Sequence, residues 1–232
     1  MFLTIKWQRV AFVLMLILLA ELGLAVWLMF DMQPANPAAK QQYTVVVDAG
    51  HGGIDGGVVA ADGTKESDLN LAYALTLGDM LTNCGFSVVY TRKIKGGLYG
   101  AATDGFKGRD MRARKQIVVD TAPVLVVSIH MNKYTGSTSR RGPQVFYQKG
   151  YEDGKAFAEC MQRVLNDFTG NAHSALGGDY YMCREMPCPS VICECGFLSN
   201  PDEAHLLTDE TYRDELCKEI LRGIVYYLAD RA

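Results

Sequence analysis

The sequence predicts an α/β domain with a largely parallel sheet and helices on both faces, and three observations carry that prediction. Short apolar runs rich in Val and Ile alternate with longer segments whose apolar residues recur at helical spacing. The short runs are continuously apolar rather than alternating, the pattern of strands buried on both faces and joined by helices. Gly85 ends the first helical run and Pro123 follows the second, so breakers fall where elements should end.

The chain of 232 residues opens with Lys6 and Arg9 ahead of an apolar run, Val10 to Phe30, that only Glu21 interrupts. About 20 such residues at roughly 1.5 Å each span a bilayer core, so residues 1–30 are expected to form an N-terminal membrane anchor. Basic residues before the run and Asp31 after it favour a cytoplasmic N-terminus and an exported remainder. A cleaved signal peptide is the rival reading, but the run exceeds the usual roughly 7 to 15 residues and no A-x-A site follows closely. Residues 31–42 carry Pro34 and Pro37 without apolar periodicity and read as a linker. One folded domain is then expected over residues 43–232.

Within it, Thr44 to Val47 is the first strand, followed by a helix over Asp68 to Cys84 with Leu69, Tyr73, Leu77 and Leu81 on its buried face. Phe86 to Thr91 is the next strand, Arg109 to Asp120 the second helix, and Val124 to Ile129 the third strand. A strand at Gln144 to Tyr147 precedes a helix with Phe157, Met161, Val164 and Leu165 on one side. Val191 to Cys195 is another strand, and a helix over Thr211 to Ala229 closes the chain. Tyr180 to Cys183 reads as strand-like, with Arg184 and Glu185 beyond it either lining a groove or solvated. Lys93 to Gly108 is a glycine-rich loop.

Composition removes several function classes. A net charge of −3, with no stretch of interleaved basic and aromatic residues, argues against nucleic-acid binding. Seven cysteines are an odd number in an exported domain, which excludes an all-disulfide framework. Cys193 and Cys195 share one face of a strand, and Cys183 with Cys188 is the pair to test.

The chemistry lies at strand ends. Tyr43 to His51, Val124 to His130 and Val191 to Asn200 each bring a metal-capable residue to such an end (His51, His130 and Glu194), and Glu66 lies in an acidic loop between the first two. Open α/β sheets bind ligands beyond the carboxyl ends of their strands, where these residues are expected to converge. Imidazole and carboxylate suit Zn²⁺, and three ligands with a spare carboxylate as base make a hydrolytic site. A lone strand-end histidine is more often structural; two of them with carboxylates reverse that balance. Glu194, between Cys193 and Cys195 in an apolar strand, is poorly placed for a structural role. His173 and His205 read as surface residues.

Gly50, Gly52, Gly53, Gly56 and Gly57 let the backbone turn tightly around His51. They do not make a dinucleotide loop, which would need glycine where Asp55 stands, and no Lys-Ser/Thr pair of a phosphate loop follows. Asp48 either orients the second ring nitrogen of His51 or caps the strand end. A thiol hydrolase using Cys193 or Cys195 is the competing enzyme class, but these cysteines lack an electropositive setting. A non-catalytic binding protein would hold the four site residues only by accident.

The block DAGHGGIDGG, Glu66 15 residues after its histidine, VSIHMN around His130 and PSVICECGFLSNPDE near the end resemble the zinc-dependent N-acetylmuramoyl-L-alanine amidases of the amidase 3 family. The resemblance runs from about Tyr43 to Ala229. It implies a zinc amidase domain that hydrolyses the amide between N-acetylmuramic acid and L-alanine, with peptidoglycan as partner. His51, Glu66 and His130 would be the zinc ligands and Glu194 the catalytic glutamate. Where the family pattern has Asn five residues after an Arg, this chain has Val119 after Arg114, and Gln144 stands where a Glu commonly precedes the V-x-Y strand. Neither departure falls on the four site residues. Gln144, the run Asp179 to Tyr181 and the short anchored form are similar to the CwlD-type amidases of spore formers, which prepare muramic lactam in cortex peptidoglycan. The long helix that blocks the site in division amidases has no counterpart. An accessory protein that helps load the metal would leave no mark in the sequence.

Overall fold

Valine-rich β1 (Thr44–Ala49) and β3 (Leu125–Asn132) lie side by side at the centre of a six-stranded sheet ordered β2-β1-β3-β6-β4-β5. The computed structural model describes residues 14–16, 18–22 and 43–231. Residues 14–16 and 18–22 are helical and exposed, and most of the expected anchor and all of the linker lie outside the described residues. Among the described residues, no helix is long and apolar enough to cross a membrane.

From Tyr43 the order continues with α1 (Glu66–Asn83), β2 (Ser87–Tyr90) and α2 (Phe106–Thr121) before β3. After it come β4 (Gln144–Gln148), α3 (Glu152–Thr169), β5 (Leu176–Gly178), α4 (Tyr181–Arg184), β6 (Ser190–Phe197), α5 (Pro201–Thr208) and α6 (Glu210–Ala229). β2, β1, β3 and β6 are mutually parallel, as expected, whereas β4 runs antiparallel to β6 and β5 parallel to β4. The connection 133–143 carries no helix to return the chain across the sheet, so β4 starts at the end where β3 stopped and runs the opposite way. α3 then supplies such a crossover, and β5 is parallel to β4.

The period of two along each strand separates the two faces. Val45, Val47, Leu125, Val127, Val191, Cys193 and Cys195 meet Leu77 of α1, Leu165 of α3 and Ile220 of α6 in the main core. The intervening Val46 and Val126 point the other way, onto Val118 of α2 and Met182 of α4. Asp48, Ser128 and His130 share that second face, and β-sheet register sets Asp48 beside Ser128 and His130 beside Glu194. The chemistry-bearing side chains therefore sit on the face with the smaller cover.

Two local readings are corrected. Tyr180 to Cys183 is not a strand; Tyr181–Arg184 form the single helical turn α4, with Met182 and Cys183 buried on one side. So short an apolar run carries no period by which strand and helix differ. Cys183 and Cys188 are not joined, since all seven cysteines are free thiols. Arg184 pairs with Asp179 and Glu185 with Lys115, so both are surface ion pairs. α5, not anticipated as a separate helix, begins where the Asn200 side chain accepts from Asp202 N and Glu203 N ahead of Pro201 at the first turn.

Candidate metal and catalytic site

His51 follows the end of β1 and is one of two non-glycine residues with positive φ among those described, at 60°. That left-handed turn directs its ring across the strand ends. Glu66 reaches the same point as the first residue of α1, not from a loop, and is 3% exposed. Its Oε2 accepts from Val58 N at 2.8 Å, while Oε1 accepts from Met131 N and Asn70 Nδ2, both at 3.2 Å. His130, near the end of β3, brings Nδ1 to 2.9 Å from Glu66 Oε1, and His51 Nε2 lies 3.2 Å from the same oxygen. The imidazoles stand edge to face with centroids 5.0 Å apart.

These three residues, which the sequence spaces 15 and 64 positions apart, offer ligand atoms that all lie within 4.8 Å of one another. The site is closely fitted around them. A Cβ on Gly50 would come within 2.2 Å of the His130 ring, and one on Gly57 within 2.4 Å of Glu66 Oε2. Two imidazoles and a carboxylate are a donor set suited to a zinc-like cation. Burial opposes ionisation of Glu66, yet the bonds and charge of His130 and His51 hold its carboxyl well below the usual range. His51 responds in the opposite sense: burial disfavours its charge, but Glu66 and then Asp55 raise its pKa. A cation bound here would replace those protons, since metal ligands must be deprotonated.

Glu194 stands beside His130 in the sheet, and its Oε2 is buried with no hydrogen-bond partner. Buried carboxylate oxygens are rarely left so, and one left beside a cluster of metal-capable side chains is a candidate working group. Burial and the negative charge of Glu66 push its pKa up to about 7, against the opposing pull of His130 and His51. The cluster opens into a cleft of about 270 Å³ lined by His51, Asp55, Tyr99, Lys107, His130 and Tyr180 among others.

Asp48 takes neither of its expected roles. It accepts from Arg114 Nη1 and Thr91 Oγ1, each at 2.6 Å, and from Ser128 Oγ. Burial would raise its pKa, but Arg114, Ser128 and Thr91 outweigh that and hold it at about 2. The outer partner of His51 is Asp55, with Oδ2 3.1 Å from Nδ1. Arg114 also contacts the site, because its Nη2 donates to the His51 carbonyl at 2.6 Å. Gln144, opposite Glu194 in the sheet, turns its amide to Gln162 and the Ser174 carbonyl. Cys193 and Cys195 face the main core, away from both histidines, and the Cys195 thiol is held well above its usual pKa. His205 is exposed as expected, whereas His173 is half-buried with Nε2 2.9 Å from the Arg141 carbonyl. Asn70 and Arg92, both buried and bonded to the backbone beside the ligands, were not foreseen. Only a partner distant in sequence distinguishes such residues from ordinary polar ones.

Residues 45–226 match the amidase 3 family, described as N-acetylmuramoyl-L-alanine amidase. The chain belongs to that family. As an amidase it is 32% identical over 194 residues to the germination-specific N-acetylmuramoyl-L-alanine amidase of Bacillus subtilis, covering 81% of this chain and 80% of that one. The CwlD amidase from Clostridioides difficile, solved in complex with the GerS lipoprotein, superposes with a TM-score of 0.77 at 36% identity. That match covers 81% of this amidase and 99% of that chain. The catalytic domain of CwlV from Bacillus (Paenibacillus) polymyxa superposes with a TM-score of 0.71 at 31% identity, over 81% and 99% of the respective chains.

Proposed function

We propose that this amidase is zinc-dependent and hydrolyses the amide joining N-acetylmuramic acid to L-alanine in peptidoglycan, with His51, Glu66 and His130 holding the ion and Glu194 acting as general base. The observation that carries this reading is the convergence of three ligand atoms within 4.8 Å beside a buried carboxylate oxygen without a partner. Zinc in that position supplies a Lewis acid that polarises an amide carbonyl and acidifies water.

Glu194 removes the proton of the attacking water and delivers it to the departing alanine nitrogen. Burial raises the proton affinity of Glu194 above that of an ordinary carboxyl, which favours uptake of the water's proton. Met131 N and Asn70 hold the Glu66 oxygen, and Asp55 faces the outer nitrogen of His51, so the ligands arrive already oriented. The open cleft beside them, bordered by the loop 93–105, suits a glycan-peptide strand.

The test is mass analysis of peptidoglycan fragments after incubation with the purified protein. Free stem peptides beginning with L-alanine are expected; intact muropeptides or cuts at another bond would overturn the reading.

The likeness to a germination-specific amidase and to a CwlD amidase, with Gln144 and Asp179 to Tyr181, supports a role in spore-cortex maturation through muramic lactam formation. A vegetative cell-wall amidase is the alternative, and spores of a deletion strain that keep normal muramic lactam would favour it. The apolar run Val10 to Phe30 supports a membrane anchor with an extracytoplasmic domain. Recovery of a soluble form starting after residue 30 would replace the anchor with a cleaved signal. The relative solved with a lipoprotein points to an accessory protein of that kind, and absence of any co-purifying lipoprotein from sporulating cells would count against it.

A further inference from the structure

We propose that Arg92, assisted by Asn70, is a positioning residue that clamps the backbones of His51 and Glu66 together and so sets the metal site before an ion arrives. It rests on the zinc reading for the choice of ion, and on the hydrogen bonds of Arg92 for everything else.

Arg92 follows the end of β2 and is 4% exposed. Its guanidinium makes no ion pair among the described residues and gives its bonds to main-chain carbonyls. Nε donates to Ala49 at 2.9 Å, Nη2 to Gly50 at 2.9 Å and to Ser67 at 2.8 Å, and Nη1 to Ile94 at 3.0 Å. Gly50 immediately precedes His51, and Ser67 immediately follows Glu66. One buried cation thus ties together the two segments whose side chains must meet. Asn70 Nδ2 makes a second bridge between them, donating to the Gly50 carbonyl at 3.1 Å and to Glu66 Oε1 at 3.2 Å.

The buried guanidinium lies next to Arg114 and within reach of the charges of Asp48 and Asp110, and an apolar side chain in its place would leave the carbonyls it serves short of a donor. What the guanidinium supplies is a fixed planar fork that reaches several acceptors at once. His51 needs such support, because a non-glycine residue at φ 60° stays there only when its surroundings over-determine it. The loop also packs directly on Arg92, since a Cβ on Gly52 would come 3.0 Å from Arg92 Nε.

The test compares full-length Arg92→Lys, Arg92→Gln and Asn70→Ala with the natural protein. Three quantities are read: zinc affinity by competition with a chromophoric chelator, the visible absorption of the Co²⁺-substituted protein, and the unfolding midpoint of the metal-free form. The clamp predicts zinc affinity about 10- to 100-fold weaker in the Arg92 variants, in line with losses of outer partners at other metal sites, with a changed Co²⁺ spectrum. Asn70→Ala should show the same change in smaller measure, and decides the question if the Arg92 variants fail to fold. A lowered midpoint with unchanged zinc affinity and Co²⁺ spectrum would make these residues merely structural and overturn the proposal. A natural protein that takes up no zinc would instead overturn the zinc reading, and the clamp with it.

Discussion

On one face of the sheet Val45, Val47, Leu125, Val127 and Val191 meet three long helices; on the other, the residues interleaved with them, among them Asp48, Ser128, His130 and Glu194, meet α2 and the single turn of α4. The first face gains stability from apolar area removed from water. The second spends part of that gain on desolvating Asp48, Arg114 and Glu194. Strand alternation lets the same strands do both, so stability and chemistry are separable by mutation even between neighbouring residues.

The largest effect is expected on the polar face. His130→Ala removes one of the three proposed ligands, and metal analysis should fall from about one zinc per chain to a small residue, with turnover falling to background. Unchanged zinc would mean that the cluster is not the metal site. Across the sheet, Leu165 is fully buried in the main core. Leu165→Ala should cost about 3 kcal/mol in chemical denaturation while zinc content per folded molecule stays constant. Loss of zinc there would show that the faces are coupled.

A smaller effect concerns Asp48, whose folded pKa is depressed from 3.8 to about 2. A depressed carboxyl stabilises the fold above its unfolded pKa, and that share is lost as pH falls through the folded value. Asp48 therefore contributes about 2 kcal/mol at neutral pH that disappears between about pH 4 and pH 2. Denaturation across that window should show a shallower acid decline in Asp48→Asn than in the natural protein; equal slopes would remove Asp48 from the acid response.

The parallel half of the sheet, the approach of His51 to His130 and the place of Glu194 beside His130 were legible because each follows from a local pattern, an apolar run ending in a residue of distinctive chemistry. The reversal of β4 was not, since strand direction is set by how the chain crosses the sheet rather than by the strand's own residues. The sequence puts Glu66 in an acidic loop, whereas in the structure the helix starts there without a side-chain cap, through Val58, whose backbone bonds both the Glu66 amide and its carboxylate. Arg92, Asn70 and Arg114 look like ordinary helix or strand-end polar residues, and their roles exist only in contacts up to 66 positions away.

In the proposed site Glu194 would act as a base beside the bound ion and not as one of its ligands. Glu194→Gln keeps shape and burial while removing the proton acceptor, so zinc stoichiometry and amide hydrolysis measured on one preparation test it directly. About one zinc per chain, with turnover reduced by about 10² to 10⁴, is the result expected of a general acid-base group. Loss of zinc would make Glu194 a ligand, and full activity would remove it from the reaction.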